Sequence, residues 1–118
     1  LEGISQAKKG NRVSDISNSI DKCVRSKGYE IIRDLTGHGI GRELHEEPQI
    51  LNYNSGEKGP KLRPNMTLSI EPMISNGSFE IKTLDDNWTV VTVDGSLSAH
   101  YEHTIAITES GPEILTRL

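Results

Sequence analysis

Along this chain the apolar positions change period once, from a helical three-to-four residues to a strand-like two. Leu1, Ile4 and Ala7 recur at helical spacing and run into Lys8, Lys9 and Gly10, which reads as a helix end with cations against the dipole and a glycine cap. No N-cap and no initiator Met precedes Leu1, so the pattern starts inside an element and a piece of a longer domain is expected. Ser14 predicts the cap of a second helix, with Ile16, Ile20, Cys23 and Val24 along one face and Gly28 closing it. "YEIIRDL" reads as a strand leading into "GHGIGRELHEEP", and "NYNSGEKGPKLRPN" as a long turn-rich connection.

From Met66 onward the alternation is clean. Met66, Leu68 and Ile70 point one way and Thr67, Ser69 and Glu71 the other, until Pro72 ends the pairing. "SFEIKTLDDNWTVVTVDG" predicts a hairpin turning at Asp85, Asp86 and Asn87. "AHYEHTIAIT" with "EILTRL" predicts another, turning at Ser110, Gly111 and Pro112. Helices first and strands after favour an α+β layer fold with an antiparallel sheet, a single unit over residues 1–118.

Composition narrows the partners. With 118 residues and only five aromatic side chains, aliphatic residues must supply a small core. A formal charge of -4 with scattered Lys and Arg gives no footprint for nucleic acid or an anionic membrane. Cys23 is the lone cysteine, so no intrachain disulfide can form, and with no apolar run of membrane-span length the expected location is cytoplasmic.

The titratable residues are unevenly spread. His38 and His45 flank a glycine-rich bend; their odd separation puts them on opposite faces of an uninterrupted strand, whereas bending at Gly37, Gly39 and Gly41 lets them converge. Two exposed histidines in a turn are the alternative. Glu71 ends a strand where its carboxylate can leave the sheet edge. Glu102 reads as a mid-strand residue on the face of His100 and Thr104, costly to bury unless paired or bound to a cation, with a solvated face as the alternative. One imidazole and two carboxylates from three segments form a mixed N/O set that suits Mn, Fe, Co or Zn. A nucleophilic scheme is disfavoured, since Cys23 lies on the apolar side of a helix and no serine sits in an elbow context, and "GHGIG" lacks the Lys and Ser/Thr of a phosphate loop.

Taken in order, "GHGIGRELHEEPQILNY", "MTLSIEPMI" and "DNWTVVTVDGSLSAHYEHTIAIT" resemble the type I, bacterial-type methionine aminopeptidases over nearly the whole chain. The resemblance implies the pita-bread fold of creatinases and aminopeptidases, of which this chain is the second half, with the N-terminal half absent. It implies removal of the N-terminal methionine from nascent proteins by a metalloexopeptidase with two divalent ions. It assigns His38 and Glu71 to one ion, Glu102 to a bridge between two, Glu71 to proton transfer, and His45 and Trp88 to the substrate. Two aspartates and a further histidine of the family lie in the first half, so the fragment alone is expected to be inactive. Leu44 departs from the pattern, where many members carry Phe. A non-catalytic binding protein on the same fold is the alternative.

Overall fold

The computed structural model of the protein describes residues 1–117. Two helices come first, α1 (Glu2–Ser5) and α2 (Val13–Ser26). Ten strands follow: β1 (Glu30–Ile31), β2 (Gly37–Ile40), β3 (Glu46–Ile50), β4 (Thr67–Ile70), β5 (Met73–Ser75), β6 (Ile81–Thr83), β7 (Val90–Thr92), β8 (Ser98–His100), β9 (His103–Thr108) and β10 (Gly111–Ile114). None of the described helices is long and apolar enough to cross a membrane.

The start of α2 is set by an acid rather than by a hydroxyl. Asp15 reaches back and its Oδ2 accepts the Arg12 N–H at 2.7 Å, so the helix opens at Val13 and Ser14 falls inside its first turn. Its end is where the glycine predicts it: the Gly28 N–H donates to the Arg25 carbonyl and the Tyr29 N–H to the Val24 carbonyl, the paired bonds of a Schellman close. The first helix is shorter than the spacing predicts. It ends at Ser5, because the Ala7 N–H turns back to the Ile4 carbonyl and the Gly10 N–H bonds the Leu62 carbonyl instead of an intrahelical partner.

Three antiparallel sheets follow. The largest runs β10-β9-β4-β2-β3, a second runs β1-β5-β8, and β6 pairs with β7 alone. Register in the large sheet pairs Leu68 with Ile105 and Pro112 with Ile107, which sends Leu68, Ile70, Ile105 and Ile107 to one face. That face meets Ile16 and Ile20 of α2, Ile4 of α1 and Ala7 just after it, all buried, and this aliphatic layer is the core. The other face of the large sheet is left for polar groups.

Two strand expectations change. "YEIIRDL" contributes only the two residues of β1, paired with Ile74 and Ser75. The last hairpin turns earlier than predicted, because Gly111 already pairs with Thr108 and only Glu109 and Ser110 remain in the turn. The end of "EILTRL", Leu118, lies outside the described residues. The β6–β7 hairpin turns where expected: Asn87 takes a left-handed φ of 56°, and Asp86 Oδ1 accepts the Trp88 and Thr89 N–H groups.

Beyond that hairpin, Asp94 ties two loops together. Its carboxylate accepts the Ser96 hydroxyl at 2.6 Å, the Ser78 N–H at 2.8 Å and the Ser96 N–H at 3.0 Å, and these bonds lower its pKa from 3.8 to about 2. A carboxyl whose folded pKa is depressed contributes stability above its unfolded pKa and loses it as pH falls through the folded one. Asp94→Asn is therefore expected to flatten the fall of the urea midpoint between pH 3.8 and about 2; an acid limb superimposable on that of the unsubstituted chain would show that the bonds do not form.

Candidate metal centre

His38 stands between two glycines because nothing larger fits there. A Cβ on Gly37 would overlap the Ser69 carbonyl oxygen, and one on Gly39 would overlap the Glu47 carbonyl. With hydrogens in those places, β2 sits tightly between β3 and β4 and its one functional side chain is fixed. The β2–β3 ladder also slips between His38 and Gly39, so that His38 faces Gln49 while Gly39 faces Glu46.

Register then carries a polar stripe across the large sheet, on the face away from the helices. His38 pairs with Ser69, and Ser69 with Thr104. Two residues beyond Ser69 comes Glu71, and two before Thr104 comes Glu102, so alternation keeps both carboxylates on the stripe. At that point both chains leave the large sheet. After Glu71 and Pro72 the chain enters β5 of the second sheet, and after β8 of that sheet it returns through Tyr101 and Glu102 into β9. Glu102 is thus not a mid-strand residue, as alternation alone predicts, but lies in the break between two strands that belong to different sheets. The two carboxylates occupy matching corners.

The side chains meet there. His38 Nε2 lies 3.1 Å from Glu71 Oε1, with both side chains mostly buried at 13% and 15% exposure. His38 Nδ1 is 2.9 Å from the Gly39 carbonyl; a carbonyl only accepts, so Nδ1 donates there and Nε2 is the ring nitrogen that faces Glu71. The Ser69 hydroxyl is 2.8 Å from Glu102 Oε1 and 3.3 Å from Glu71 Oε1, with one hydrogen to share between them. His100 Nε2 lies 3.5 Å from Glu71 Oε2. Donor atoms of Glu71, His100 and Glu102 all lie within 4.8 Å of one another.

His45 joins from the loop between β2 and β3. Its ring stacks on that of His38, centroids 4.2 Å apart and tilted by 51°, so the two histidines converge through a hairpin rather than along one strand. The neighbouring acids do not take part: Glu46 Oε1 accepts the Glu43 N–H, and Glu47 Oε2 lies on the Gln49 N–H. Trp88 stands apart at the tip of the β6–β7 hairpin, 86% exposed. Residue-by-residue reading gave His100 and Ser69 no role of their own. The signal was there, since Ser69 precedes Glu71 by two residues and His100 precedes Glu102 by two.

The donor set fits a divalent ion. An imidazole nitrogen and a carboxylate oxygen 3.1 Å apart, with a second carboxylate beside them, are ligands of the kind such an ion takes. Metal–ligand distances of about 2.0–2.2 Å place neighbouring donors roughly 3.0–3.5 Å apart, the range in which the His38 Nε2–Glu71 Oε1 separation falls. Imidazole with carboxylate favours Zn and the first-row transition ions over Ca or Mg.

Known proteins share this arrangement of sequence. Residues 1–109 match the model of metallopeptidase family M24. The chain is 55% identical over 116 residues to a methionine aminopeptidase of Clostridium perfringens, covering 98% of this chain and 47% of the relative. It is 54% identical over 117 residues to methionine aminopeptidase 1 of Bacillus subtilis, covering 99% and 47%. The crystal structure of methionine aminopeptidase from Thermotoga maritima superposes with a TM-score of 0.94 at 53% identity, over 98% of this chain and 47% of that one. The chain therefore spans about half the length of the relatives it matches. Helices on one face of an antiparallel sheet, the corner carboxylates and a family match over residues 1–109 give one conclusion: the chain has the α+β pita-bread fold and belongs to metallopeptidase family M24.

Proposed function

We propose that this chain supplies one half of a methionine aminopeptidase site, which removes the N-terminal methionine from newly made proteins in the cytoplasm. The observation that carries the reading is His38 Nε2 at 3.1 Å from Glu71 Oε1, beside Glu102, in a chain 54–55% identical to methionine aminopeptidases. The first half of the domain, the partner in this reading, would bring two further carboxylates and complete the centre. A module that only binds partners has no need of an imidazole and two carboxylates gathered at one corner.

In the complete centre His38, Glu71 and Glu102 would hold two divalent ions. Such ions, of Mn, Fe, Co or Zn, would supply a water acidic enough to ionise near neutral pH and positive charge for the substrate amine and carbonyl. Every other task falls to side chains. Glu71 takes the proton of the attacking water and passes it to the leaving amine. Ser69 holds Glu102 by its hydroxyl, which fixes that carboxylate against rotation. His45, stacked on His38 and open to the cleft, donates a hydrogen bond to the scissile peptide where charge develops. Trp88, 86% exposed, is the side chain of this half that would meet the substrate's methionine, with the first half closing the pocket around it.

Three outcomes follow for activity and metal content. The 118-residue chain alone should cleave Met-Ala-x peptides negligibly, whereas joining it to the complementary segment of its Bacillus subtilis relative should restore turnover; turnover by the lone chain near that of a whole enzyme contradicts the half-site reading. In the joined protein, His38→Ala or Glu102→Ala should abolish both activity and stoichiometric metal content measured by plasma emission, and unaltered metal in either variant removes that residue from the ligand set. His45→Ala should keep the metal while kcat falls by about 10²–10³, as for loss of one oxyanion donor; equal loss of metal would make His45 a ligand instead.

A further inference from the structure

The least explained group at the centre is His100. It ends β8, paired with Met73 of β5, and position 73 lies two residues past Glu71 on the same face. That register makes His100 the diagonal cross-strand neighbour of Glu71, and its Nε2 comes to 3.5 Å from Glu71 Oε2. The two oxygens of Glu71 have different surroundings. Oε1 faces His38 Nε2 and the Ser69 hydroxyl, while the neighbour of Oε2 is His100.

We propose that His100 is a positioning residue that holds Glu71 Oε2 by an Nε2–H hydrogen bond, and so keeps Oε1 turned toward His38 and the ion. The inference rests on the metal-centre reading above and adds to it a group acting through Glu71. A carboxylate bound through one oxygen rotates about its last bond unless the other oxygen is held, and ligating carboxylates are commonly fixed by such outer contacts. The separation of 3.5 Å is longer than a made N–H···O bond. His100 is 47% exposed at a strand end, so its ring is free to rotate through the remaining few tenths of an ångström. Glu71, at 15% exposure and wedged between β4 and β5, is the less mobile partner, which makes the histidine the group that closes the gap.

Replacement by glutamine separates this role from ligation. A Gln amide N–H can donate to Oε2, but its amide is a poor ligand beside an imidazole. Co(II) titrations of the 118-residue chain, read by calorimetry and by visible absorption, should show His100→Ala weakening affinity about 10- to 100-fold. His100→Gln should restore the unsubstituted affinity and spectrum. In the joined protein His100→Ala should lower kcat more than it raises KM, with the Gln variant again restoring it. Equal weakening by Ala and Gln, with a spectrum that has lost a nitrogen donor, would make His100 a direct ligand and overturn the positioning role. Unchanged affinity and kinetics in His100→Ala would overturn it as well. His38→Ala separates the two levels: unchanged Co(II) affinity there counts against the metal centre itself, whatever His100 does.

Discussion

The packing of His38 Nε2 against Glu71 Oε1 at 3.1 Å is the constraint on which the rest of this fold turns. What fixes the two side chains there is backbone. β2 and β4 are zipped in register, β4 is zipped to β9, and the opposite face of those strands is sealed by aliphatic residues against α1 and α2. The hydrophobic layer on one face thus holds a cluster of mostly buried titratable side chains in place on the other. Hence the glycines: on either side of His38 a methyl group would collide with backbone carbonyls, pushing β2 out of the register that aims the imidazole.

How much of this was legible depends on how local the cause is. The α2 stripe of Ile16 and Ile20, the close at Gly28 and the turn at Asn87 were all readable, because each is set by residues within one or two turns of the chain. The face shared by Ser69 and Glu71 was readable for the same reason. Glu102 was not placed correctly, since period-two alternation runs smoothly through "AHYEHTIAIT" and carries no mark of the strand changing sheets at Tyr101. That break is imposed from outside by β5, which takes β8 as partner while β4 takes β9. The start of α2 was misplaced by two residues for a smaller reason: both Ser14 and Asp15 can cap, and the one that reached the free Arg12 N–H won.

The corner geometry also explains why the site residues come in pairs two apart. A strand that switches sheets must bend, and the residues flanking the bend keep the alternation of each sheet on either side. Ser69 with Glu71 and His100 with Glu102 are the two flanks of matching bends, one on each strand. Carboxylates placed there escape the ladder without leaving the reach of its hydroxyl and imidazole groups. Folds of this kind gain a rigid polar corner from strands that are otherwise ordinary, and the large sheet's core is undisturbed, since Leu68 and Ile105 remain paired a few residues away.

Donor arithmetic shows how far these residues go toward holding a divalent ion. His38 and His100 offer one nitrogen each at the cluster, and Glu71 and Glu102 two oxygens each. Glu102 Oε1 already accepts from Ser69, and Nε2 of His100 cannot both donate to Glu71 and bind an ion. An ion of this class takes four or more ligands, so one held here draws on donors beyond His38, Glu71 and Glu102. Glu102 is exposed, and its open side is where water or further ligands reach such an ion without disturbing the strands behind it.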